Sequence, residues 1–177
     1  MGIVPVKKRG AMSIEKTLKR AETFLGLDDS DLSKIAALPS CREEAYQPGE
    51  VIFGVGDETK YLYVLKEGQV ELVMEVPPKS KQAATRVVIE RITTGGLFGW
   101  SAIVEPHSRT MSAVCKEPSR VVAISGVELI ALLDKDYHIG YKVFQSLSRI
   151  LGVRLRDMEQ VLVKGQRWPF LEKWQNL

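Results

Sequence analysis

A glycine-rich turn followed by an arginine is the feature of this sequence with the clearest chemistry. Residues 95–102 read Gly-Gly-Leu-Phe-Gly-Trp-Ser-Ala, and Arg109 and Thr110 follow after a short loop. Gly99 would let the backbone approach a ligand closely, and a short helix beginning there would present N–H groups to a negative charge. The guanidinium of Arg109 matches phosphate oxygens as a planar fork. We expect a site for one phosphate to consist of Gly99, Trp100, Ser101, Ala102, Arg109 and Thr110.

The other reactive side chains are too few and too scattered for catalysis or metal binding. Ser101 lacks the flanking glycines of a hydrolase nucleophile, and the sequence holds no Walker-type loop. His107 and His138 are isolated, whereas a metal-dependent barrel enzyme needs clustered histidines with an acid. Cys41 and Cys115 are too few for an iron–sulfur cluster. We therefore expect no enzyme, no metal site and two structural thiols, with His107 shaping the loop before Arg109.

Length, charge and hydropathy narrow the class of protein further. A chain of 177 residues suits one domain with helical appendages. Its net charge of +3 comes from interspersed signs rather than from a clustered basic face, which argues against a nucleic-acid partner. No signal peptide and no apolar segment of membrane-spanning length is visible. The sequence predicts a cytoplasmic protein without a membrane partner.

Helical periodicity marks both ends of the chain. Residues 1–12 carry no pattern and are interpreted as a flexible leader. From Ser13 to Leu25 apolar residues recur at helical spacing, and Gly26 is a plausible C-cap. A second short helix begins around Asp28 and ends at Pro39. Together these segments predict N-terminal helices over 13–40.

Short strands with turn residues between them fill the middle of the chain, over 41–125. Such spacing is typical of a sandwich or a jelly-roll barrel. The segment 77–85 lengthens one hairpin and is interpreted as its tip. The predicted strands are Val51–Phe53, Tyr61–Leu65, Gln69–Met74, Arg86–Glu90 and Arg120–Ile124.

Helical spacing returns over 126–164, with a short helix and then a long one from about 141 to 163. The long helix carries one apolar stripe, which could cover its own barrel or pair with a second copy. Both possibilities stay open at this point. Residues 165–177 form an aromatic tail with Trp168, Phe170 and Trp174, expected to dock on the barrel or on a partner. The stripe consists of Phe144, Leu147, Leu151, Leu155, Met158 and Leu162.

Several motifs together resemble the cyclic nucleotide-binding domain family, which includes catabolite-activator-type regulators and kinase regulatory subunits. Residues 46–53 read Tyr-Gln-Pro-Gly-Glu-Val-Ile-Phe, and residues 61–72 form a strand–turn–strand typical of the family. The phosphate cassette corresponds to residues 96–102, followed by Arg109 and Thr110. The resemblance extends from about Phe24 to Met158.

This resemblance implies a mainly β fold with flanking α-helices. The fold would be a double-stranded β-helix (jelly-roll, cupin-like) barrel of the cyclic nucleotide-binding type, with N-terminal helices and a long C-terminal helix. It implies a non-enzymatic regulatory sensor in signalling, and its ligand would be cAMP, cGMP or another phosphate-bearing nucleotide. The C-terminal helix would relay the bound state, in a homodimer through 141–163 or to a separate effector protein. Only about fifteen residues follow Val163, so no DNA-binding domain is expected.

The sequence departs from the family at Trp100. In members that bind cAMP or cGMP, a glutamate normally follows Phe-Gly and accepts from the ribose 2′-hydroxyl. A tryptophan has no acceptor, and a buried hydroxyl left unpaired costs about 1–3 kcal/mol. Trp100 could turn outward while cAMP binds weakly, or form a flat wall for an altered ligand. Alternatively it fills the pocket, and the domain binds no nucleotide and acts as a dimerisation or protein-interaction module.

Overall fold

Eight strands form two antiparallel sheets of four strands each. The computed structural model describes residues 14–76 and 85–165; the predicted leader, most of the hairpin tip and the aromatic tail lie outside these residues. One sheet has the strand order β1-β8-β3-β6 and the other β2-β7-β4-β5. The strands are β1 (Arg42–Tyr46), β2 (Val51–Phe53), β3 (Tyr61–Glu67), β4 (Val70–Val76), β5 (Thr85–Ile92), β6 (Leu97–Phe98), β7 (Ser112–Cys115) and β8 (Ser119–Ser125).

Side-chain alternation along β3 builds two cores at once. Tyr63 and Leu65 point between the sheets, where they pack with residues of the second sheet such as Leu72. Leu62 and Val64 point to the opposite face, where the helices cover them. Because successive strand residues face opposite sides, a strand buried on both faces must be apolar throughout its centre. The first sheet therefore separates the helices from the barrel interior.

The five predicted strands are confirmed, and the expected jelly-roll fold with flanking helices is the observed one. Three strands were missing from the prediction, namely β1, β6 and β7. β1 reads Arg-Glu-Glu-Ala-Tyr and has no apolar alternation, because its order comes from pairing with β8, with Arg42 opposite Ala123. β6 has only two residues and β7 only four. Tertiary pairing, rather than local propensity, makes these segments strands.

The N-terminal helical segment is less regular than its periodicity suggested. Helix α1 is described over 14–18 and is followed by a 3₁₀ turn, Glu22–Phe24, because Ala21 adopts an extended backbone conformation. This break turns Phe24 into the core and leaves Leu25 51% exposed, so the predicted helical segment Ser13–Leu25 is not one continuous helix. The second helix is confirmed as α2 (Asp29–Ala36), with the Asp28 carboxylate accepting from Asp31 N at 2.9 Å.

Two helices follow the barrel, α3 (Gly126–Lys135) and α4 (Tyr137–Gly165). The first half of α4 packs on the Glu22–Phe24 turn and on α3, burying Ile139, Val143 and Leu147. Of the predicted stripe, Leu147 is buried and Leu151 packs against the core. Leu155 and Met158 are exposed because the helix runs past the end of the core, whereas Phe144 is exposed at a level where Val143 and Leu147 are buried. Among the described helices, none has both the length and the apolar character needed to cross a membrane.

The packing of α4 predicts a stability difference between two identical substitutions. Val143 is fully buried, and Val127 on α3 is 80% exposed. Val143→Ala should lower the free energy of unfolding by about 1.5–3 kcal/mol, because it removes buried methyl groups and leaves a cavity. Val127→Ala, the matched control, should change it by less than about 0.5 kcal/mol. Urea denaturation followed by circular dichroism measures both. Equal effects would contradict the described packing of α4.

Candidate ligand-binding site

The predicted phosphate-binding arginine lies inside the protein rather than on its surface. Arg109 is 4% exposed. Its Nη1 donates to Ser101 Oγ at 2.9 Å, and its Nη2 donates to the carbonyl oxygen of Tyr61 at 2.6 Å. The guanidinium carbon lies 4.1 Å from the centre of the Phe53 ring, a cation–π contact. Residues from β2, β3 and the cassette therefore hold the guanidinium in one orientation.

Gly99 makes room for this arginine. Its φ of 73° is left-handed, and a Cβ at this position would lie only 2.8 Å from Arg109 Nη1. The residue is thus constrained twice, by conformation and by space. It begins a single 3₁₀ turn, Trp100–Ala102, in which Ala102 N donates to Gly99 O at 3.1 Å. The short helix expected at this point is only this turn, so Arg109 rather than a helix dipole supplies the positive charge.

Arg109 keeps donors that no described residue satisfies. A guanidinium has five N–H donors, and the two contacts above use two of them. Its Nε is buried and has no hydrogen-bond partner among the described residues. Burial lowers the pKa of Arg109, although an arginine remains protonated in proteins. An unsatisfied buried donor on a charged group is unfavourable, and an anionic acceptor would relieve it.

A cavity of about 160 Å³ lies beside this arginine. Five of the six predicted site residues line it; Ala102 does not, because its side chain packs into the core under the first sheet. Seven lining residues were not predicted. Phe53 and Leu72 come from the second sheet, and sheet pairing rather than a local motif brings them to the cassette. The other five lie in the segment between the cassette and β7, namely Val104, Glu105, Pro106, Ser108 and Met111. The complete lining is Phe53, Leu72, Gly99, Trp100, Ser101, Val104, Glu105, Pro106, Ser108, Arg109, Thr110 and Met111.

Trp100 forms one wall of the cavity. Its half-buried side chain packs against the helical core and also lines the cavity. The interpretation that Trp100 turns outward is therefore wrong, because the core on one side holds its ring in place. The ring also leaves the cavity beside it open. Glu105, which is exposed, provides the one carboxylate among the described residues that line this cavity.

The remaining reactive residues are structural. His107 has a φ of 54°, and its Nδ1 donates to the carbonyl oxygen of Ser101 at 2.9 Å, which ties the loop to the cassette. Within the described residues, no group of histidine, cysteine and acidic side chains could hold a metal ion. Both cysteines are free, and burial raises the pKa of Cys41 to about 11, which makes its thiol unreactive.

The family model of the cyclic nucleotide-binding domain matches residues 43–136, a segment that contains all eight strands apart from the first residue of β1 and the whole cavity lining. The chain belongs to the cyclic nucleotide-binding domain family. A cyclic nucleotide-binding domain from Methylobacillus flagellatus has the same fold, with a TM-score of 0.73 at 19% identity over 90% of this chain and 86% of that one.

Two further similarities link the chain to larger proteins. A Rhodopseudomonas palustris protein that bears the name of a potassium channel is 28% identical over 144 residues. The match covers 79% of this chain but only 33% of that relative. The PKA regulatory domain of Toxoplasma gondii, solved with cAMP, has a TM-score of 0.63 at 18% identity, over 81% of this chain and 50% of that one. This chain therefore spans about a third of the first of these proteins and half of the second.

Proposed function

We propose that the chain is a non-enzymatic regulatory sensor that binds a cyclic nucleotide, or a related phosphate-bearing nucleotide, in the cavity beside Arg109. One observation carries this proposal: a buried guanidinium with an unsatisfied Nε adjoins a cavity lined by the cassette. The family of the chain and the cAMP complex of a fold relative make cAMP and cGMP the first ligands to test.

The phosphate would be held by donors that are already in place. Arg109 offers Nε–H and a neighbouring N–H as a side-on fork for two phosphate oxygens. Ser101 Oγ accepts from Arg109, so its own proton is free to donate to the ligand. Thr110, which also lines the cavity, adds a third donor. A net hydrogen bond to a charged group contributes about 1.5–3 kcal/mol, so Arg109 would dominate the affinity.

The ribose hydroxyl would donate a hydrogen bond to a residue of the loop that follows the cassette, rather than to the residue at position 100. The indole of Trp100 has a donor but no acceptor for a ribose hydroxyl. Glu105 lines the same cavity and carries an exposed carboxylate, which is the strongest acceptor there. Trp100, Val104 and Met111 would then contact the flat or apolar parts of the ligand. In this arrangement Trp100 changes the ribose contact and leaves the phosphate contact intact.

The bound state would be passed on through α4. Beyond Leu151 this helix leaves the core, and Val153, Leu155 and Met158 present apolar side chains to solvent. Leu155 and Met158 continue from Leu151 at steps of four and three, and such an apolar stripe along a helix suits a second copy of the same helix. We therefore propose a homodimer through this part of α4. A separate effector protein would bind this dimer differently in its ligand-free and ligand-bound states.

The phosphate contact is tested by isothermal titration of cAMP and cGMP. Arg109→Ala should weaken binding by about 10- to 150-fold, because a charge-assisted contact is lost. Arg120→Ala is the matched control, since Arg120 is an exposed arginine that pairs with Glu43 away from the cavity. Circular dichroism establishes that both variants fold.

Two results of this titration would contradict the proposal. If the wild-type chain binds no nucleotide, the sensor is wrong and the interaction-module alternative gains support. If Arg109→Ala binds as tightly as Arg120→Ala, the ligand lies elsewhere.

The sugar contact is tested with cAMP and 2′-deoxy-cAMP. Glu105→Gln should weaken binding of cAMP by about 10-fold, because an ionised acceptor becomes neutral. It should leave the affinity for the 2′-deoxy ligand unchanged, since that ligand has no hydroxyl to donate. Glu117→Gln, an exposed acid outside the cavity lining, serves as the control. An equal loss for both ligands would mean that Glu105 acts through general electrostatics.

The dimer is tested by sedimentation velocity over a range of protein concentrations. Leu155→Asp should abolish the dimer, because it places a charge on the exposed apolar side of α4. Val127→Asp, an equally drastic change at an exposed site on α3, should leave it intact. A wild-type chain that is monomeric at every concentration contradicts this part of the proposal.

A further inference from the structure

β6, the short strand at the start of the cassette, has an open edge. In the described chain β6 pairs with β3 alone, with Leu97 opposite Val64 and Phe98 opposite Tyr63. Edge strands leave backbone N–H and C=O groups without strand partners. Leu97 is buried, so a backbone group on this edge needs a partner within the protein. That partner is Arg154 of α4, whose Nη2 donates to the carbonyl oxygen of Leu97 at 3.2 Å.

The same nitrogen of Arg154 also binds the neighbouring β-strand of the second sheet. It donates to Oε1 of Glu90 on β5 at 2.8 Å. The Arg154 side chain is 23% exposed, so the ion pair is partly shielded from solvent. Burial raises the pKa of Glu90, and the charge of Arg154 opposes this shift. Glu90 thus fixes the guanidinium in a position from which it reaches Leu97.

Elsewhere a groove separates this part of α4 from the barrel. The groove has a volume of about 580 Å³ and lies between α4, the β5–β6 turn and the N-terminal segment. Arg149, Ile150 and Val153 line it from the helix side, and Val153 remains 44% exposed. On the face of the helix that lines the groove, Val153 therefore does not pack closely against the barrel. Arg154 spans the groove with its hydrogen bonds to Glu90 and Leu97.

Two short paths connect Leu97 to the ligand cavity. Along the chain, only Phe98 separates Leu97 from Gly99. Through space, the Phe98 ring stacks on Phe53 at 6.1 Å, and Phe53 lies under the Arg109 guanidinium. Phe98 is fully buried, so it cannot move without moving its neighbours. A displacement of Leu97 therefore changes both the glycine turn and the aromatic support of Arg109.

We infer that Arg154 is a positioning residue for the ligand site: it ties α4 to the carbonyl of Leu97 and so couples the long helix to the cassette. The inference rests on the proposed function, because it names the residue that holds the ligand site in place and links ligand binding to α4. Coupling between two sites is reciprocal, so a bridge that keeps the cassette in its binding geometry also makes α4 sensitive to the ligand.

The bridge is tested first without ligand, by amide hydrogen exchange. Arg154→Ala should speed exchange at 97–103 and in α4 beyond Leu151, because both segments lose their common anchor. Arg149→Ala is the matched control: this arginine lies on the same helix and lines the same groove, with no hydrogen bond to other described residues. Unchanged exchange in Arg154→Ala would overturn the inference whether or not any nucleotide binds.

The coupling is then tested by titration with cAMP. Arg154→Ala should weaken binding by about 3- to 10-fold, the equivalent of one hydrogen bond, although Arg154 is outside the cavity lining. In wild type and Arg149→Ala, cAMP should slow amide exchange in α4; in Arg154→Ala it should not. Glu90→Gln, which keeps the shape but removes the charge, should give an intermediate affinity.

The outcomes separate this inference from the proposed function. Wild-type affinity in Arg154→Ala, or tighter binding, would overturn the positioning role even if Arg109→Ala abolishes binding. A loss of thermal stability with normal affinity and a normal response of α4 would reduce Arg154 to a structural anchor, which also contradicts the inference. If wild type itself binds no cAMP, the ligand proposal fails, and the exchange experiment alone decides whether the bridge holds the cassette.

Discussion

The buried guanidinium of Arg109 is the constraint on which the rest of the structure depends. A charge removed from water must be compensated by nearby groups, because an isolated buried ion is strongly unfavourable. Here the compensation comes from a carbonyl on β3, a hydroxyl of the cassette and the ring of Phe53 on β2. These groups belong to both sheets and to the turn. The guanidinium therefore reaches this environment only when the barrel is closed, and Gly99 is the residue type that leaves it space.

The first sheet connects this interior to the helices. Along β3 and β8, alternate side chains face the aromatic cluster inside the barrel and the helical core outside it. A shift of the helices would therefore displace β3 and β8, and with them the side chains on their interior face, such as Tyr63 and Leu65. Close-packed interiors transmit such displacements because they contain little free volume. The helices are thus mechanically joined to the binding cavity through the sheet, in addition to the bridge at Arg154.

The sequence was sufficient for the parts of the site that lie close together along the chain. Gly99, Trp100, Ser101, Arg109 and Thr110 were predicted from residue type, spacing and the resemblance to the family, and the structure places all five at one cavity. Phe53 and Leu72 were out of reach, because they arrive there through sheet pairing that no local pattern encodes. The same holds for β1, whose charged sequence forms a strand only because β8 offers it an edge. The predicted helix over Ser13–Leu25 is interrupted because one extended residue, Ala21, breaks a helical repeat that looked continuous.

Arg109 and Arg154 act on the two ends of one short segment. At the Gly99 end, Arg109 donates to Ser101 Oγ and occupies the space that a Cβ at Gly99 would fill. At the Leu97 end, Arg154 donates to the carbonyl oxygen of Leu97. The stacked ring of Phe98 between them makes the segment stiff. In the proposed function, an anion bound at Arg109 would therefore act on one end of this segment, and a partner bound to α4 would act on the other end through Arg154. Trp100 packs against the helical core, which supports the turn on its other side. In the proposed function, this cassette would bind the phosphate at Arg109 and pass the bound state to the long helix through residues 97–99.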